Sequence, residues 1–330
     1  MRKIKIISTA KYLPKKIVTA QEMADQLGID VAWIEKKSGV LKRHFVEDET
    51  APSMGALVAK EALKKAELKF TDIDALVAVS GTPSQPIPCN AVLIQEAMGE
   101  HLCGVPAFDI NTTCLSFLTG LDIVSYMIAA GRFKRVLFVA SDVASMGLNY
   151  KQKESCTLMG DSAVAILVEG CDDSEKSGII ASRMETYSAG AKWAEIRGGG
   201  TLRHPTRGKD IQEDDYYFDM QGHKIFEMAS RYIKPFCDKI VDPINMKIQD
   251  FNLVIPHQAS LLALKIMRSK LDLSEEQFYI YIQDHGNTVG TSIPIGIHNA
   301  IENKKIKRGD SVFLIGTGAG LSLGGMALIY

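Results

Sequence analysis

The sequence predicts an α/β fold built from two similar halves, and three observations carry that prediction. Strand-like apolar runs alternate with amphipathic helix-like ones along all 330 residues, the pattern of parallel or mixed sheets covered by helices. Residues 71–80, an acidic turn followed by a buried strand, are echoed by residues 249–258. Two more pairs follow in the same order, 133–141 with 306–315 and 160–168 with 320–329. Chance can supply one such pair, but three in one order indicate an internal duplication.

Met1-Arg-Lys-Ile-Lys-Ile-Ile-Ser reads as a first strand, because its apolar stretch is far shorter than the roughly 7–15 residues of a signal-peptide core. Residues 53–66 place Met54, Leu57, Val58 and Leu63 at helical spacing. Residues 105–110 read as a strand, and Leu115, Leu118, Leu121, Ile123 and Met127 mark a deeply buried helix behind it. Asp122 interrupts that helix, the most apolar long stretch, and no run approaches the about 18 apolar residues of a membrane span. The expectation is therefore a cytoplasmic protein with no membrane partner. The polar cluster at 171–178 places the boundary between halves, giving 1–172 and 173–330. Residues 198–215, glycine-rich and then charged, read as a long surface loop of the kind that often carries function.

With 46% hydrophobic and 23% charged residues the chain can bury a large core, and its net charge of -1 provides no global field for nucleic acid. Six cysteines without a CxxC pair argue against a zinc knuckle or a redox motif. Most read as small buried hydrophobes.

Cys114 differs from the others by its surroundings. It follows the strand at 105–110 and opens the buried helix, where unpaired N–H groups and the helix dipole favour a thiolate. Thr112 and Thr113 upstream are capping types. His257 ends the strand Leu253-Val-Ile-Pro, at the strand end where α/β proteins place ligands. Asn287 lies between Gly286 and Gly290, in a loop that allows a ligand close to the backbone. A thiol, an imidazole and an amide delivered at three strand ends can converge on one thioester. Gly316-Thr-Gly-Ala-Gly resembles a dinucleotide loop, yet no helix and no acidic residue follow it, so a strand-end backbone offering N–H donors is the better reading.

These segments, with Trp33-Ile-Glu-Lys-Lys-Ser-Gly-Val and Met159-Gly-Asp-Ser-Ala, resemble the thiolase-fold condensing enzymes, most closely the β-ketoacyl-acyl carrier protein synthase III group. The resemblance runs over essentially the whole chain. It implies a five-layered αβαβα sandwich, a homodimer and no permanently bound cofactor or metal, with coenzyme A or carrier-protein phosphopantetheine as the thioester carrier. It also implies that Cys114 is acylated by an acyl-CoA, with the N–H groups of Cys114 and Ala319 as an oxyanion hole. His257 and Asn287 then hold the carbonyl oxygen of a malonyl thioester while it loses carbon dioxide, and the carbanion attacks the acyl group. That division is physically sensible, since decarboxylation makes the carbanion without a general base and the site needs only donors aimed at the developing enolate.

By the same resemblance Trp33, Lys37, Lys153, Gly222, Phe226 and Ser260 bind coenzyme A or pantetheine, and Ile87 caps the acyl pocket across the dimer. Lys37 and Lys153 stand where the family has arginines, keeping the charge and losing the planar fork. Ser260 and Leu262 replace the usual Asn and Arg, and Glu227 stands at a lysine position common in carrier docking. Lys265 and Arg268 share a helix face suited to an acidic carrier protein.

A thiolase is disfavoured, because residues 316–330 contain no second cysteine. Alternatives within the fold are a specialised acyl transfer and a non-decarboxylating acyl-acyl condensation. From other classes come a Cys-His-Asn hydrolase and an inactive carrier-binding scaffold.

Overall fold

The structure, a computed structural model, describes residues 1–207 and 211–330. Of the loop expected at 198–215, residues 208–210 lie outside the described residues, and the rest carries short 3-10 turns at Pro205–Arg207 and Glu213–Tyr216.

The chain opens with strand β1 (Ile4–Tyr12), a hairpin-like pair β2 (Lys16–Thr19) and β3 (Lys42–Phe45), and between them helices α1 (Ala20–Leu27) and α2 (Val31–Lys37). Helix α3 (Ala51–Lys65), β4 (Ala75–Ala78), α4 (Asn90–Met98) and β5 (Ala107–Asp109) follow. Then come α5 (Ser116–Ala129), β6 (Arg135–Asp142), the short α6 (Lys153–Cys156) and β7 (Ser162–Gly170). The remainder is β8 (Gly178–Thr186), a small ribbon of β9 (Ala194–Glu195) and β10 (Asp219–Met220), α7 (Gly222–Val241), β11 (Leu253–Pro256), α8 (Leu261–Lys270), α9 (Ser292–Glu302), β12 (Ser311–Gly318) and β13 (Ser322–Ile329).

Two sheets form, ordered β1-β7-β6-β4-β5 and β8-β13-β12-β11. In both, a parallel pair (β4 with β6, β11 with β12) continues into an antiparallel one (β6 with β7, β12 with β13). The internal echo has a local chemical cause. Asp72 accepts the Lys69 N–H at 2.8 Å and Asp250 accepts the Lys247 N–H at 2.7 Å, each closing the same 3-10 turn before the parallel strand. Where β5 flanks β4, a single parallel bridge from Phe278 flanks β11.

Helix α3 covers the outer face of the first sheet, α7 covers that of the second, and α5 and α9 lie between the sheets. That makes a five-layered αβαβα sandwich. The middle layer is why α5 is apolar nearly all round: Leu115, Phe117, Leu118 and Leu121 are each buried in one core with Phe138, Ile255 and Leu314 from both sheets. The ends of β4, β6, β11 and β12 therefore open onto the N-terminal turns of the two central helices. No helix among the described residues is long and apolar enough to cross a membrane.

Candidate active site

Cys114 lies in a 3-10 turn, Thr113–Leu115, that runs directly into α5. Thr113 holds a left-handed conformation, φ 55°, which a β-branched residue adopts at a cost of about 1–3 kcal/mol. Three hydrogen bonds maintain it: its N–H to Asn111 Oδ1 at 2.8 Å, its hydroxyl to Thr112 O at 2.8 Å, and Ser116 Oγ to its carbonyl at 2.7 Å. The capping expected of Thr112 and Thr113 is not found: no side chain among the described residues caps the turn or α5, and Ser116 Oγ instead accepts the Thr112 N–H at 3.0 Å.

The expectation of a thiolate-favouring helix end needs correction. Burial pushes the Cys114 thiol up to about 12, the nearby Asp142 carboxylate adds to it, and the favourable Cys114 N–H and Thr113 hydroxyl do not compensate. Desolvation outweighs the helix dipole, and Cys114 rests as a neutral thiol.

His257 is anchored by its own N–H on Ile315 O at 2.8 Å and is 3% exposed. Burial alone pulls it down to about 4, so it is neutral at physiological pH, and its Nδ1 has no partner among the described residues. Gly316 lets the ring in. A Cβ there would lie 2.9 Å from His257 Cβ and 3.0 Å from Leu115 Cδ2.

Asn287 is held on both sides by the 158–160 segment, its N–H donating to Leu158 O at 2.7 Å and its carbonyl accepting the Gly160 N–H at 3.0 Å. Its side-chain oxygen accepts the Val289 N–H at 3.0 Å. The amide orientation follows: the oxygen is occupied, and the nitrogen is the free end. Val289, like Thr113, is β-branched with φ 53°, a second strained residue beside a site group.

Cys114, His257 and Asn287 line one cavity of about 990 Å³, together with the loop between β12 and β13 that holds Ala319. The Ala319 N–H has no hydrogen-bond partner among the described residues. Trp33 and Lys37 of α2, Lys153 of α6, Gly222 and Phe226 of α7, Ser260 and Leu262 line the same cavity. Lys153 Nζ stands 4.8 Å from the Trp33 ring centroid. The Ser260 hydroxyl accepts the Ala263 N–H at 3.2 Å as the N-cap of α8, which leaves its O–H and one lone pair for a ligand.

Ile87 is not among the cavity-lining residues and is 83% exposed. Glu227 is exposed and pairs with Arg231, Lys265 is exposed, and Arg268 pairs with Glu275. Among the described residues no group of three His, Cys, Asp or Glu side chains is placed to hold a metal ion.

Sequence reasoning missed Asp142, a fully buried carboxylate at the end of β6 beside the Cys114 turn. The available signal was a lone acid closing the strand, two residues after the apolar run at 136–140. It equally missed the strained Thr113 and Val289, for which sequence holds no signal.

The buried histidines predict a pH dependence of stability. His257, His285 and His298 are each pulled down to about 4, chiefly by burial, whereas an unfolded imidazole titrates near about 6.5. Between those values the unfolded chain binds protons that the native one does not, so stability present above about 6.5 is lost as pH falls toward 4. Asp142, raised to about 6, and Asp161, also raised, both by burial, oppose the trend with two groups against three. Thermal unfolding across pH 7.5 to 4 should show a falling midpoint. A flat or rising profile contradicts the burial assigned to these rings.

The comparisons with known proteins agree with this geometry. Residues 108–188 match the family model described as 3-oxoacyl-[acyl-carrier-protein (ACP)] synthase III, and residues 242–330 match its C-terminal model. The chain is 32% identical over 326 residues to the β-ketoacyl-[acyl-carrier-protein] synthase III of Aquifex aeolicus, covering 99% of each. It is 28% identical to that of Clostridium acetobutylicum, again over 99% of each. Among solved structures, the 3-oxoacyl-[acyl-carrier-protein] synthase III from Aquifex aeolicus superimposes with a TM-score of 0.89 at 31% identity, covering 99% of this chain and 100% of that one. The duplicated sandwich and these whole-length matches agree, and this protein belongs to the β-ketoacyl-acyl carrier protein synthase III family of thiolase-fold condensing acyltransferases.

Proposed function

We propose that the protein joins an acyl group from an acyl-CoA to the two-carbon unit of a malonyl thioester, through an acyl-Cys114 intermediate, and releases carbon dioxide and a β-ketoacyl thioester. The observation that carries this reading is the convergence of a neutral thiol, a neutral imidazole and an amide with its nitrogen free in one cavity whose mouth is aromatic and basic.

Acylation forms the Cys114 Sγ–C bond and breaks the thioester C–S bond of the donor. The carbonyl oxygen gains charge, and the N–H groups of Cys114 and Ala319 stabilise it. Because the resting thiol is neutral, its proton leaves as the bond forms; His257 accepts it through a lone pair and returns it to the departing thiolate. In the second half, the malonyl C–C bond breaks and its electrons move onto the thioester carbonyl oxygen, held by one N–H of His257 and the amide of Asn287. The enolate carbon attacks the acyl carbonyl carbon, the acyl–Sγ bond breaks, and Cys114 leaves as a thiolate that takes up one proton from water to restore the resting thiol.

A Cys-His-Asn hydrolase is disfavoured by the same geometry. There the asparagine oxygen holds the imidazole, whereas here that oxygen is taken by Val289 N–H.

Trp33, Lys37, Lys153, Gly222, Phe226 and Ser260 are proposed to bind the coenzyme A or phosphopantetheine arm, the lysines meeting phosphate as point charges. The proposed division of the chain at 172/173 falls between β7 and β8, and the proposed setting is the cytoplasm. A homodimer is supported by the open edge of β5, by Leu102 at 99% exposure and by Ile87, which a second copy would bury. Acyl carrier protein is the proposed acceptor, docking on the Lys265 side of α8.

Purified protein supplied with an acyl-CoA and malonyl-CoA or malonyl carrier protein should sediment as a dimer, release carbon dioxide and form a β-keto product. An acyl-enzyme that never decarboxylates malonyl thioester transfers the reading to a specialised acyltransferase.

A further inference from the structure

Asp142 is a charged group that the reaction as described does not use, yet it is the point where the loops of the site meet. It ends β6, is fully buried, and collects donors from two separate turns. Its Oδ1 accepts Gly81 N–H at 2.7 Å, Thr82 N–H at 2.8 Å and the Thr82 hydroxyl at 2.9 Å. Its Oδ2 accepts Thr291 N–H at 3.1 Å, from the turn that follows Asn287. The two turns touch at the strained residues: a Cβ on Gly81 would stand 2.5 Å from Val289 Cγ1 and 3.3 Å from the Thr113 carbonyl carbon. A Cβ on Gly290 would stand 2.9 Å from Val79 O and 3.0 Å from Asp142 Oδ2. No salt-bridge cation reaches this carboxylate among the described residues. Four hydrogen bonds from three residues are what keep its charge in place.

We propose that Asp142 is a positioning residue that clamps the Gly81–Thr82 turn beneath Cys114 to the Thr291 end of the Asn287 loop, fixing the nucleophile relative to the decarboxylation donors, with its carboxylate facing Cys114. This rests on the acyl-Cys114 reading above. A carboxylate is required because every neighbour is a donor: an asparagine keeps one accepting oxygen and turns an N–H₂ against the other turn. The groups packed on Asp142 from β7 and the Asn287 loop, Ser162 and Thr291, carry no charge, and Cys114 is the titratable group that meets its field. Within the cavity Cys114 also faces His257, which is neutral. Losing the carboxylate charge therefore acidifies the thiol, and loosening the clamp misplaces Asn287.

The test compares wild type with Asp142→Asn in two measurements. Iodoacetamide labelling of Cys114 against pH, read by intact mass, should shift to lower pH by about one unit in the variant. Decarboxylation of malonyl thioester by the acylated variant should fall about 100-fold, as for an angstrom-scale misplacement, and by at least tenfold more than acylation does. Should Asp142→Asn not fold, Thr82→Val, which removes the hydroxyl that donates to Asp142 Oδ1 and accepts the Val143 N–H, should loosen the clamp and lower decarboxylation more than acylation, and Thr82→Ser should restore the wild-type rates. An unshifted labelling profile, or equal losses in both half-reactions, overturns the proposal while leaving the condensing reading intact. Wild type that is acylated but releases no carbon dioxide fails the condensing reading instead.

Discussion

Cys114→Ala should erase covalent capture of the acyl group and reduce condensation at least about 1,000-fold, because the nucleophile has no substitute in the cavity. Incubation with acyl-CoA alone, followed by intact mass spectrometry, should add one acyl group to the wild-type chain and none to the variant. The other five cysteines serve as an internal control. Cys156 and Cys237 are buried outside the cavity lining, and Cys89, Cys103 and Cys171 are half-buried elsewhere. The fold should survive the change, since alanine fills most of the thiol's volume and the bonds that hold Thr113 in its strained conformation come from Asn111, Thr112 and Ser116. An acyl adduct retained in the alanine variant removes Cys114 from the reaction.

Asn287→Ala should separate the two half-reactions. The oxyanion donors proposed for acylation, the N–H groups of Cys114 and Ala319, do not involve its side chain, so the acyl adduct should still form. Decarboxylation should fall about 100- to 1,000-fold, the effect of losing one donor to a developing oxyanion. His257→Ala removes the other donor and also the acceptor of the thiol proton, so it should slow both halves. Stopped-flow acylation and trapping of carbon dioxide, measured separately, distinguish the patterns. If Asn287→Ala blocks acylation as strongly as decarboxylation, the assignment of donors to the two half-reactions fails.

The architecture was legible because duplication writes the same turn chemistry twice: the acidic 3-10 closures at Asp72 and Asp250 precede equivalent parallel strands. The apolar faces of α3 and α5 were legible at Met54, Val58, Leu63, Leu118 and Leu121, which are buried, but not at Leu57 and Ile123, which share the spacing and are exposed; the strand ends that carry Cys114 and His257 were legible too. What the sequence did not reveal is electrostatic and conformational. Whether a thiol at a helix start is acidic depends on how much water the surrounding layers remove, and here five layers of packing raise it rather than lower it. The donors that gather on Asp142 come from residues 81, 82 and 291, far apart along the chain, and no local pattern announces them. Nor does sequence tell that the Asn287 side-chain oxygen accepts the Val289 N–H, which is a property of one loop's backbone.

The central claim is that one cavity first stores an acyl chain on sulfur and then uses two uncharged donors to drive loss of carbon dioxide. A single-turnover chase tests it most directly. Acyl-enzyme is prepared, freed of acyl-CoA by gel filtration, and mixed with malonyl thioester. The account predicts one carbon dioxide and one β-keto product for each acyl group, with the mass of the chain returning to its unmodified value as they appear. Carbon dioxide release with the acyl adduct left in place, or loss of the adduct as free acid, contradicts it.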